Sequence, residues 1–108
     1  MTEPMTLDRL EATIASRRTA DPSSSYVAKL HAKGLPKITQ KFGEEAVETI
    51  VAALAEDREA LVGEVADLLF HLMVLLAAKG VPLAEVLAEL NRREGTSGLA
   101  EKAHRKQG

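Results

Sequence analysis

This sequence predicts an all-α protein, a bundle of four main helices whose core is completed by a second copy of the chain. Three observations lead there. Ala, Leu, Glu, Lys and Arg dominate the composition, and these are strong helix formers. Apolar residues recur every three or four positions through most of the chain, and Pro, Gly or a small polar residue marks the breaks. One segment, LLFHLMVLLAA, is apolar nearly all round. A helix built from it must be covered on every side, which one domain of 108 residues cannot do alone.

The elements follow in chain order. Thr6 caps a helix from Leu7 to about Arg18, with Leu7, Leu10 and Ile14 on one face. The turn-rich TADPSSS segment breaks it, and Ser24 or Ser25 caps a short helix from Tyr26 to Lys33 that Gly34 stops. Pro36 fits the first turn of the next helix, which continues to about Ala55. Gly43 inside it costs about 1 kcal/mol against alanine and marks a bend or a close backbone approach. Around this helix Lys41, Glu44, Glu45 and Glu48 take one arc, and Phe42, Ala46, Ile50, Val51 and Leu54 take the rest, which is expected to face the core. Asp57 caps a helix running to about Lys79 and ended by Gly80. Pro82 opens the last helix, with Leu83, Val86, Leu87 and Leu90 as its buried stripe. Residues 1–94 read as one domain. Residues 95–108 lose periodicity and gain Gly and basic side chains, the composition of a flexible tail.

Composition excludes several function classes. Aromatics make up only 3%, so the core is aliphatic. A net charge of −2 gives no general electrostatic case for binding nucleic acid or a membrane surface. The absence of cysteine removes disulfides, thiolate metal sites and cysteine nucleophiles. The N-terminus shows no signal-peptide pattern, and Leu68 to Ala78 is too short to span a bilayer. A cytoplasmic protein is expected.

The chemistry lies in two acidic clusters on consecutive helices, Glu44-Glu45-x-x-Glu48 and Glu64-x-x-Asp67. Charges on a helix usually form a solvated face. Here, however, like charges crowd one side of the first helix, and the second cluster sits on the most apolar helix of the chain, where free carboxylates are costly. Two i,i+3 carboxylate pairs on packed antiparallel helices make an all-oxygen cage, suited to Mg²⁺ with Mn²⁺ as the alternative cation, and Mg²⁺ sites commonly act on phosphates. A di-iron bundle would need Glu-x-x-His pairs, which neither acidic helix carries. His71 shares the face of Glu64 and Asp67. It reads as a neutral core histidine, and a bond from Asp67 to it would orient that carboxylate. Lys29, Lys33, Lys37 and Lys41, with Arg92 and Arg93, are candidates to neutralise phosphate charge.

These residues carry a family resemblance. The paired acidic clusters resemble the MazG-type all-α nucleoside triphosphate pyrophosphatase superfamily. Three runs (SSYVAKLHAKG, KFGEEAVETIVAAL and DREALVGEVADLLFHLMVLLAAKGVPLAEVLAELNRR) narrow the likeness to phosphoribosyl-ATP pyrophosphatases of histidine biosynthesis, over Leu7 to Arg93. The resemblance implies a dimeric enzyme that uses Mg²⁺ to hydrolyse phosphoribosyl-ATP to phosphoribosyl-AMP and pyrophosphate. It implies Glu45, Glu48, Glu64 and Asp67 as metal ligands, and Glu44 as the group that positions or deprotonates water or holds a second ion. Lys41, Lys37 and Lys29 would hold the substrate. Lacking the zinc-binding cysteines of the fused cyclohydrolase, the chain reads as monofunctional. The alternatives are a house-cleaning nucleotide pyrophosphohydrolase of the same superfamily and a non-catalytic helical dimerisation module.

Overall fold

A computed structural model describes residues 3–94 and Arg105. The described residues form helices and turns only, with no strand. Five helices follow one another: α1 (Leu7–Arg17), α2 (Tyr26–Lys33), α3 (Leu35–Ala55), α4 (Arg58–Ala78) and α5 (Leu83–Arg93). The four long helices and the short α2 fall where periodicity and capping residues place them. The expected tail from Gly95 onward lies, apart from Arg105, outside the described residues.

Local chemistry fixes most of the boundaries. Thr6, Ser25 and Asp57 each accept a hydrogen bond from the backbone N–H three residues on, closing the first turns of α1, α2 and α4. Gly34 ends α2 at φ 92° and also begins α3, so a residue with positive φ makes the junction. Gly80 ends the turn after α4 at φ 66°. Gly43 meets no close backbone: a Cβ placed there would have nothing within 4 Å. α5 begins at Pro82 with no side-chain cap of its own. Glu11 of α1 supplies it from across the fold, its Oε2 accepting from Leu83 N–H at 2.7 Å.

The core sits at one end of the molecule. Ile14, Val27, Leu30, Ile38, Met73, Val74 and Leu83 close it, drawn from all five helices, and Leu10 and Phe70 pack against its edge. Arg18 of α1 donates to the carbonyl of Ala77 at 3.1 Å, tying α1 to the end of α4. α3 and α4, each 21 residues long and joined only by Glu56 and Asp57, form the main helix pair. Away from the core, this pair stands without a third layer.

Two packing expectations are overturned there. On α3 the buried residues are Ile38, Glu45 and Ala52, spaced by seven and so aligned along one side of the helix. Glu45, at the centre of the acidic arc, therefore faces inward, whereas Glu44 at its edge stays exposed. Of the apolar residues expected to face the core, Phe42 and Ala46 are half-buried, whereas Ile50, Val51 and Leu54 are exposed, Leu54 by 84%. On α5 only Leu83 of the expected buried stripe is buried, whereas Val86, Leu87 and Leu90 are exposed. The physical reason is the same in both places. α4 meets the acidic side of α3 and only the start of α5 reaches the core, so among the described residues no further element covers the apolar faces. By length and composition α4 is also apolar enough to cross a membrane, although Glu59, Glu64 and Asp67 lie within it.

A three-carboxylate candidate metal centre

Glu45 and Glu48 lie one turn apart on α3, and Glu64 faces them from α4. One oxygen from each of the three lies within 4.8 Å of the others. The register of the two helices is pinned at this level by Thr49. Its hydroxyl lies 2.8 Å from the carbonyl oxygen of Glu45 and 3.3 Å from that of Glu64, bringing backbone of both helices to one side chain.

The cluster is costly without a cation. Glu45 is only 8% exposed. Its Oε2 and that of Glu64 are buried and lack any hydrogen-bond partner. Burial pushes the Glu45 carboxyl above its usual range, and a hydrogen bond and negative charge from Glu48 push further. The Glu64 carboxyl is raised to about 7, chiefly by the adjacent Glu48 carboxyl, with which it would share a proton when protonated, then by desolvation and the neighbouring negative charges. Orphaned carboxylate oxygens converging from two helices fit a hard divalent cation. The donor set offers no nitrogen or sulfur and so gives no preference for a softer metal.

The other candidate residues are placed around this trio. Asp67 lies one turn beyond Glu64 on α4 and is exposed. It falls outside the closest group, but its charge contributes to the upward shift of both Glu45 and Glu64. Glu44 points outward and forms a loose ion pair with Lys41 at 3.8 Å. Lys37 is half-buried and Lys29 exposed. Arg92 and Arg93 each pair with Glu89 on their own helix.

The structure adds residues that sequence spacing did not single out. A cavity of about 250 Å³ opens beside the trio, lined by Glu48, Val51, Glu56 and Glu64. Glu56 reaches it because the α3–α4 link is only two residues long, a shortness legible in the Glu56-Asp57 break. His71 is buried, as a core histidine should be, and both ring nitrogens are partnered. Its bond to Asp67 goes to the backbone carbonyl at 2.8 Å and not to the carboxylate, because a residue four positions on in a helix lies over that carbonyl. Its Nε2 lies 2.9 Å from the Tyr26 hydroxyl, a pairing 45 residues apart in sequence that no local pattern signals.

Comparison with known proteins shows the family. The profile of the family described as "Phosphoribosyl-ATP pyrophosphohydrolase" matches residues 7–94, which include every residue of the site. A protein of Rhizorhabdus wittichii named phosphoribosyl-ATP pyrophosphatase is 74% identical over 95% of this chain and 97% of its own length. Proteins of the same name from Novosphingobium aromaticivorans and Erythrobacter litoralis are 76% and 70% identical, over 92% and 93% of this chain and 92% and 96% of their own lengths. The chain belongs to the phosphoribosyl-ATP pyrophosphohydrolase family.

Proposed function

We propose that this chain hydrolyses phosphoribosyl-ATP to phosphoribosyl-AMP and pyrophosphate, with Mg²⁺ as its cation. The observation that carries the chemistry is the pair of buried, partnerless oxygens of Glu45 and Glu64, which converge with Glu48. The substrate comes from the names of relatives that align with this chain almost end to end.

Glu45, Glu48 and Glu64 would hold the ion, with Asp67 as the fourth carboxylate one turn further along α4. When bound, the ion neutralises phosphate charge and lowers the pKa of a coordinated water. The residues of the chain do the rest. Lys41, Lys37 and Lys29 bind the remaining phosphate charge as donors without an acceptor of their own. Glu44, outside the inner trio and beside Lys41, would orient the attacking water or take its proton. Water adds across the α–β phosphoanhydride, its oxygen joining phosphorus as the bridging P–O bond breaks. One proton goes to a carboxylate or to solvent, and pyrophosphate leaves.

The active unit in this reading is a homodimer in the cytoplasm. Its support is the outward apolar stripe of Val47, Ile50, Val51 and Leu54 on α3, at i, i+3, i+4 and i+7, next to exposed Val62, Val65 and Leu69 on α4. A face with helical spacing and no cover among the described residues fits a second copy.

The test is pyrophosphate release from phosphoribosyl-ATP with and without Mg²⁺, beside a panel of ordinary nucleoside triphosphates. Release that depends on metal and is confined to phosphoribosyl-ATP is expected. Release from the ordinary triphosphates would move the chain to nucleotide house-cleaning, and no release from any of them would leave a helical dimerisation module.

A further inference from the structure

Tyr26 is the one tyrosine of the chain, and it opens α2. It is 46% exposed, yet it is held at two points. Its ring stacks on Phe70, with centroids 6.0 Å apart and planes at 26°. Its hydroxyl lies 2.9 Å from Nε2 of the buried His71. The direction of that bond follows from the other ring nitrogen. Nδ1 lies 2.8 Å from the backbone carbonyl oxygen of Asp67, and a carbonyl only accepts, so Nδ1 carries a proton and donates it. In the neutral ring Nε2 is then bare, and the Tyr26 hydroxyl donates to it. The chain of bonds runs from Tyr26 through His71 to the backbone of Asp67.

The consequence is on the open side of Tyr26. Its single proton is committed to His71, so Oη offers only lone pairs to whatever enters the site. His71 bridges this hydroxyl to the backbone of Asp67, the fourth carboxylate of the proposed cage, so Tyr26 stands beside the site. An acceptor in this position repels a phosphate oxygen and selects a donor. In a nucleotide whose phosphates lie on the carboxylate-bound ion, the nearest donors to the α–β anhydride are the hydroxyls of the ribose that carries it. We infer that Tyr26 Oη accepts a hydrogen bond from a hydroxyl of the triphosphate-bearing ribose, which makes Tyr26 a specificity-determining residue. The inference deepens the proposed function and rests on it.

The experiment compares wild type with Tyr26→Phe, which removes the oxygen and keeps the ring that stacks on Phe70. Pyrophosphate release is measured with Mg²⁺ on phosphoribosyl-ATP and on its 2′-deoxy and 3′-deoxy forms at that ribose. The expected result is a KM raised about tenfold in the variant with kcat within about twofold, the signature of a lost ground-state contact worth one hydrogen bond. Wild type should show the same penalty on one of the two deoxy substrates, which identifies the hydroxyl, and the variant should show no further penalty on it. An unchanged KM in the variant, a fall in kcat alone, or penalties that simply add in both deoxy arms would overturn the assignment. If losing the His71 partner prevents the variant from folding, as read by its melting curve, wild type on the deoxy substrates still decides: no penalty on either overturns it. Wild-type turnover with an unaffected variant removes only this inference, whereas no wild-type turnover removes the proposed function with it.

Discussion

Replacing Glu48 by Gln keeps the shape of the carboxylate cluster and removes one of its negative charges. Glu48 is the largest cause of the raised Glu64 carboxyl, which stands at about 7 without a metal. A group with that value holds about half a proton at pH 7, whereas an ordinary glutamate, with a pKa of about 4.3, holds almost none. A divalent cation requires the ionised form, so binding at pH 7 should release about half a proton from Glu64 in wild type. In Glu48→Gln the negative charge is gone and the amide NH2 can donate to an ionised Glu64, so the release should fall, though desolvation, Glu45 and Asp67 still raise Glu64. Calorimetric titration with Mg²⁺ at pH 7, in two buffers of different ionisation enthalpy, measures this number directly. In parallel, Mg²⁺ at a hundred times its wild-type Kd should stabilise wild type by about 2.7 kcal/mol, a rise in Tm on the order of 10 °C. The variant, short of one ligand, should gain almost nothing at the same concentration and lose more than about a hundredfold in pyrophosphate release. Equal proton release and an equal Mg²⁺ shift in the two proteins would refute the reasoning, because they would mean that the cation binds away from these carboxylates.

Further outcomes are expected from the same structure. In metal-free protein the raised Glu64 carboxyl contributes stability that is present below its ordinary value of 4.5 and lost as pH rises to about 7. Burial and Arg18 hold His31 below its usual value, which acts in the opposite sense, so the test is the difference between wild type and Glu64→Gln. Wild type should lose Tm relative to the variant across that window, and parallel curves would count against the shared proton. Glu11→Ala removes the acceptor at the start of α5 and should cost about 1.5–3 kcal/mol in a urea melt, the range for a hydrogen bond to a charged group, whereas a change below about 0.5 kcal/mol would mean that α5 starts without this cap. Ile50→Asp lies on the exposed stripe of α3 and should leave helix content unchanged while moving the protein from dimer to monomer by light scattering. An unchanged mass would remove that face from the interface.

Much of this protein could be read from local sequence, and the reason is that the deciding interactions are local. Thr6, Ser25 and Asp57 cap helices through bonds that span three residues, and Gly34 and Gly80 stop them through their own φ angles. The i,i+3 spacing within each acidic cluster already puts its members on one side of a helix. What the sequence could not determine is which neighbour each side would meet. Periodicity shows that α3 has an acidic arc and an apolar arc, and the ordinary hydrophobic rule turns the apolar one inward. The tertiary structure instead turns Glu45 inward, because the α3–α4 link and the Thr49 contacts set the acidic clusters toward each other, and it leaves Val47, Ile50, Val51 and Leu54 outside. The cap on α5 from Glu11 spans 72 residues, and the bond from His71 to Tyr26 spans 45. Contacts at those separations depend on how whole helices dock, and no short pattern encodes that; only the folded chain brings Glu45, Glu48 and Glu64 to a single point.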